Sequence, residues 1–172
     1  MDGLQEQADL YIRTPDRIFT ADDAEWGIIT GSRGHDVIYG GDGDDIIYGG
    51  QGSDLMYGGS GPDLFIGLGE DYDGSLDIIK DFSFADNDRL LFEGILETRE
   101  DLDSLLATGS ITISSQGDTL SLGISTDTGT TLNVDVNVRG GELEAYRSQY
   151  TEQNGSTEGL EQALLQIMLT GV

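Results

Sequence analysis

Asp36, Asp45, Asp54 and Asp63 stand nine residues apart, each at the end of a glycine-rich turn and just before three apolar residues. Regularly spaced carboxylates without histidine or cysteine partners suit a hard cation better than zinc or iron, which favour nitrogen and sulfur ligands. The chain holds one histidine and no cysteine, which also excludes disulfides and thiolate chemistry. Calcium takes six to eight oxygen ligands and readily accepts backbone carbonyls, whereas magnesium prefers near-ideal octahedra and keeps its waters. The glycines two residues before each aspartate, Gly34, Gly43, Gly52 and Gly61, have no side chain to shield such carbonyls. Four aspartate side chains and four glycine carbonyls are therefore the first candidate donors.

The elements that must position them repeat. Residues 31–66 hold 11 of the 26 glycines and divide into GSRGHDVIY, GGDGDDIIY, GGQGSDLMY and GGSGPDLFI. Glycine at positions one, two and four permits tight turns, and the three apolar residues make a short strand whose middle side chain faces opposite to its neighbours. Turn, strand, turn, strand closes one coil of a parallel roll every two units, so units two apart stack. Asp36 then lies over Asp54 on one side and Asp45 over Asp63 on the other, and a divalent cation between turns relieves their repulsion. A flexible glycine-rich linker would not keep the apolar triplets in register. Residues 22–30 (DDAEWGIIT) keep the triplet without the glycines and read as a degenerate cap, with Trp26 packing over the end of the roll.

The pattern G-G-x-G-x-D-x-(apolar)-x resembles the repeat-in-toxin (RTX) calcium-binding nonapeptide. Residues 75–82 (SLDIIKDF) and 86–92 (DNDRLLF) are similar to the segment that closes the roll in that family. The resemblance implies that Asp77 and Asp81 bind a last calcium, with about four to six ions in all. It also implies type I secretion: export of an unfolded chain from a Gram-negative bacterium, directed by an uncleaved C-terminal signal, with folding on extracellular calcium. The chain would then be a module of a larger secreted or cell-surface protein, an adhesin or exoenzyme, with its partner domains on the N-terminal side. An adhesive or ligand-binding module for carbohydrate, protein or a surface is the alternative.

Charge fits the calcium reading. There are 33 acidic against 8 basic residues, a formal charge of −25, and Lys80 is the only lysine. Nucleic-acid binding is excluded because no cationic face can follow a phosphate backbone. No apolar run approaches the roughly 20 residues of a membrane span, and the acidic first residues do not read as a cleavable secretory signal. No metalloprotease, nucleophile-elbow or Walker motif occurs, and no catalytic role is expected. His35, at the variable fifth turn position, is expected to be solvated.

The expected fold is mainly β: a flanking segment over 1–21, the calcium roll over 22–82, a small β region over 83–141 packing on the roll, and a helical segment over 142–172. Residues 111–114, 119–124 and 131–138 alternate apolar and polar side chains. A short amphipathic helix is predicted over 96–107. Leu160, Leu164, Ile167 and Met168 share a helical face within 157–169, capped by Gly171. From about residue 113 the chain resembles a type I secretion signal, which is compatible with that helix packing in the ordinary way. Tyr39, Tyr48 and Tyr57 face outward at position nine. They are either a stacking platform for sugar rings or a face covered by residues 91–107 or the C-terminal strands.

Overall fold

The computed structural model describes residues 17–20, 26–67, 73–93, 95–96, 98–125 and 129–170. Eleven strands among these form two sheets. The first has the order β1-β3-β5-β7-β11-β10-β9 and the second β2-β4-β6-β8. Their spans are β1 Arg17–Thr20, β2 Trp26–Thr30, β3 Asp36–Asp42, β4 Asp44–Tyr48, β5 Leu55–Ser60, β6 Leu64–Gly67, β7 Leu76–Phe82, β8 Arg89–Phe92, β9 Ile111–Gln116, β10 Thr119–Ser125 and β11 Thr131–Val138. Strands β1 to β8 alternate between the sheets and pair in parallel, as a roll requires.

The middle residue of each triplet points inward. Ile38, Ile47, Met56 and Phe65 are buried in one core, which runs on through Phe82 and Phe92 to the C-terminal region. Stacked units sit 18 residues apart in the repeats, with Val37 beside Leu55 and Ile46 beside Leu64. The stack then continues after the period fails: Leu55 pairs with Ile78 and Leu64 with Arg89. Extra residues between strands are absorbed in the turns, because the ladder fixes only where each strand begins. The roll accordingly runs to Phe92, beyond the expected end at residue 82. It also begins upstream of residue 22, since β1 pairs with β3.

The predicted β region forms β9, β10 and β11, antiparallel to one another, and β11 joins β7 in parallel. These strands extend the first sheet at its edge instead of lying across the tyrosines. The tyrosine platform is also corrected. Successive units alternate sheets, so Tyr39 and Tyr57 stack at 4.8 Å between ring centroids while Tyr48 lies on the opposite sheet. Tyr39 is 42% exposed. Trp26, expected to cover the end of the roll, is 65% exposed.

Helix α1, Arg99–Thr108, starts later than the periodicity suggested because Thr98 and Asp101 form a capping box. It packs on β9, not over the tyrosines. A 3-10 turn, Arg139–Gly141, leads into α2, Glu142–Asn154, and α3 follows at Leu160–Thr170. Leu160, Leu164, Leu165 and Met168 are buried, with Leu165 taking the place expected for Ile167. Gly171 lies outside the described residues. No helix among them is long and apolar enough to cross a membrane.

Candidate metal centre

Each turn aspartate directly precedes a triplet and is buried, so stacking the strands stacks the carboxylates. The backbone N–H of Asp36 donates to Asp54 Oδ1 at 2.9 Å, and that of Asp54 to Asp77 Oδ1 at 2.9 Å. On the other side the N–H of Asp45 donates to Asp63 Oδ1 at 3.0 Å, and that of Asp63 to Asp88 Oδ1 at 3.0 Å. Asp36, Asp45, Asp54, Asp63, Asp77 and Asp88 are all buried. The predicted pairs, Asp36 with Asp54 and Asp45 with Asp63, are thus neighbours, and Asp77 continues the first ladder.

The ladders leave oxygen atoms over. Asp36 Oδ1, Asp45 Oδ2 and Asp63 Oδ2 are buried without a hydrogen-bond partner. A buried, unpaired carboxylate oxygen is costly, and the ionised form more so. Burial, reinforced by the charges of Asp88, Asp45 and Asp81, pushes the Asp63 carboxyl up to about 7. Burial also raises Asp88 to about 6, with Asp81 and Asp86 adding repulsion. Asp45 is raised for the same reason, with Asp44 contributing, against a hydrogen bond from the Gly27 N–H. A bound cation would supply both the missing partner and the missing charge.

The glycines make the fit close. A Cβ at Gly40 would stand 2.7 Å from Asp45 Oδ2, and one at Gly49 2.8 Å from Asp54 Oδ2. Gly52 and Gly61, both at positive φ, press against the carbonyls of Gly34 and Gly43 in the turn below. Among the described residues no group of three His, Cys, Asp or Glu side chains is placed to hold a metal ion. The oxygen donors at hand are the ladder aspartates and the turn carbonyls, a set that calcium accepts and a nitrogen- or sulfur-seeking metal does not. The residues present fit calcium: Asp36, Asp45, Asp54 and Asp63 with Asp77 would hold it, helped by the carbonyls of Gly34, Gly43 and Gly61. When bound it neutralises the stacked carboxylates.

Two candidate donors are already engaged. The Gly52 carbonyl accepts from the Ser75 hydroxyl at 2.7 Å, while the Gly52 N–H donates to Asp73 Oδ2 at 2.7 Å. Burial would raise the Asp73 carboxyl, yet hydrogen bonds from Ser75 and Gly52 outweigh it and hold it low. Asp81 lies off the ladder: its oxygens accept the N–H groups of Gly58 and Gly59 at 2.9 and 3.1 Å, and Arg139 faces it.

Asp88 is the residue that sequence reasoning missed as a ladder member. The signal was an aspartate directly before β8, with one residue between it and the apolar run Leu90–Phe92, obscured by the 25-residue step from Asp63. His35 is not simply solvated; its Nδ1 accepts the Ser53 N–H at 2.8 Å from the stacked turn. Ser32, where the other units have glycine, donates its hydroxyl to Asp36 Oδ2 at 2.8 Å.

The RTX calcium-binding nonapeptide repeat family matches residues 30–65 in four copies. Among solved structures the chain is similar to the AlgE6R3 subunit from the Azotobacter vinelandii mannuronan C5-epimerase, determined in solution. The two share 23% identity over 72% of each chain, with a TM-score of 0.45. Comparison with curated proteins found no match. The chain thus carries four RTX calcium-binding nonapeptide repeats over residues 30–65, and the strands they form build a parallel β-roll.

Proposed function

We propose that the domain is a calcium-triggered folding module of a type I-secreted protein, expanded during export and folding on extracellular calcium. The observation that carries this reading is the pair of buried aspartate ladders, in which Asp36 Oδ1, Asp45 Oδ2 and Asp63 Oδ2 are left without a hydrogen-bond partner. Without metal, a chain of formal charge −25 repels itself and must also bury those carboxylates. With four to six ions the formal charge would fall to between about −17 and −13, and binding to the folded state alone stabilises it by RT ln(1 + [L]/Kd) per site. Extracellular calcium modules work with Kd values of about 10⁻⁴–10⁻³ M, which keeps the sites empty in a cytosol. The module would act in a larger secreted or cell-surface protein of a Gram-negative bacterium, with the type I apparatus as its export partner.

Far-UV circular dichroism with about 5 mM calcium or with chelator tests the switch. A folded spectrum should appear only with calcium. An equally folded chain in chelator would remove the reading.

A further inference from the structure

The family pattern placed a last calcium at Asp81, but the structure brings a different cation there. Arg139 closes β11, and its guanidinium reaches back to the fourth repeat. Nη1 donates to Asp86 Oδ2 at 2.7 Å, Nη2 stands 3.5 Å from Asp81 Oδ2, and Nη2 also donates to the Gly59 carbonyl. A turn carbonyl with two carboxylates is the kind of donor set that the ladders offer to calcium. We propose that Arg139 takes the place of a calcium ion at this last turn, so that the C-terminal strands and helices latch to the roll through a guanidinium.

Three further observations support a built contact. Both Asp81 oxygens already accept backbone N–H groups, which aims the carboxylate at the Gly58–Gly59 turn whether or not an ion is present. Three residues after Arg139, Glu142 at the start of α2 accepts the Phe84 N–H at 2.6 Å and the Ser83 hydroxyl at 3.2 Å. Ser83 in turn donates its N–H to Asp88 Oδ2 at 2.8 Å, tying the same turn to the ladder's final aspartate. Residues 139–142 thus grip the 81–88 turn with a cation on one carboxylate pair and an anion on free backbone donors. A planar guanidinium with several fixed donors can meet a carbonyl and two carboxylates together, which a lysine ammonium does less well. Docking at this turn would then need no metal, while the turns before it do.

The inference rests on the proposed calcium reading, and ion counting separates the two. Calcium bound per chain is measured by equilibrium dialysis for the parent and for Arg139→Gln, with amide hydrogen exchange over 138–146 followed as calcium is raised. Arg139→Gln should bind one more ion than the parent, and protection at 138–146 should require more calcium. Equal counts with equal protection would overturn the inference alone, since calcium would then already displace Arg139. No calcium bound by either protein would overturn the calcium reading and this inference with it. Should Arg139→Gln fail to fold in calcium, Arg139→Lys decides: the poorer fit of the ammonium should make protection at 138–146 require more calcium, and an unchanged count with unchanged protection overturns the proposal.

Discussion

Replacing Asp63 by asparagine should shift stability in opposite directions with and without calcium. In the metal-free fold its carboxyl is held near 7 against an ordinary 3.8, first by burial and then by Asp88, Asp45 and Asp81. A raised folded-state value means that the fold is favoured by protonation: that contribution is complete below about pH 4 and lost as pH climbs through about 7. At pH 8 the displacement of about three units corresponds to roughly 4 kcal/mol against the metal-free fold. Asparagine keeps an Oδ1 to accept the Asp45 N–H, now made at 3.0 Å, and removes the charge. Its amide nitrogen would stand where Asp63 Oδ2 has no partner, which returns about 1–3 kcal/mol. The net expected gain in chelator is about 1–3 kcal/mol. In calcium the same change deletes a charged ligand and should raise the calcium midpoint tenfold or more, about 1.4 kcal/mol per factor of ten. The assay is circular dichroism in two titrations at pH 8, one with a stabilising osmolyte in chelator and one with calcium. Asparagine should lower the osmolyte midpoint and raise the calcium midpoint. If it raises both, the orphaned carboxylate is not the reason the metal-free fold is weak.

Other outcomes follow from the same geometry. Calcium must compete with protons for Asp63, raised to about 7, so the calcium midpoint should climb as pH falls from 8 to 5.5; a flat titration midpoint would contradict this. Gly58→Ala would drive a Cβ into Asp63 Oδ2 and should abolish calcium-induced folding. Gly117→Ala, where a Cβ meets nothing within 4 Å and only the positive φ resists, should cost about 1 kcal/mol by thermal unfolding in calcium. Asp54→Ala should raise the calcium midpoint more than Asp36→Ala, because Asp54 is bonded to ladder aspartates on both sides, Asp36 and Asp77. Deleting 140–172 should lower export through a type I apparatus, and undiminished export would refute a signal there.

Legibility followed locality. The four repeats could be read directly, because a turn that needs glycine and a strand that needs one inward apolar residue leave a mark every nine positions. Asp77 was reached through resemblance, but Asp88 was not, since the step from Asp63 no longer carries the period. Alternation marked β9, β10 and β11 as strands, yet it could not say that β11 would join β7 in parallel. That choice belongs to the edge of the first sheet and to the Arg139 and Glu142 contacts 53 to 59 residues away in sequence. The tyrosine row failed for a related reason: a nine-residue period seen along the chain becomes eighteen once alternate strands go to opposite sheets.

The excess negative charge therefore has a divided physical role. Part of it is buried in the two ladders, where Asp36, Asp45 and Asp63 each leave an oxygen without a hydrogen-bond partner. Part is answered inside the protein, by the turn N–H groups on Asp81 and Asp88 and by Arg139 on Asp81 and Asp86. The boundary between the two falls where the repeats end. Beyond it the chain supplies donors and one cation of its own, so the C-terminal strands can close on a roll whose earlier turns wait for metal. A fold divided in this way links calcium to the register of β3 to β6 directly, and to β9–β11 only through the strand and turn on which they dock.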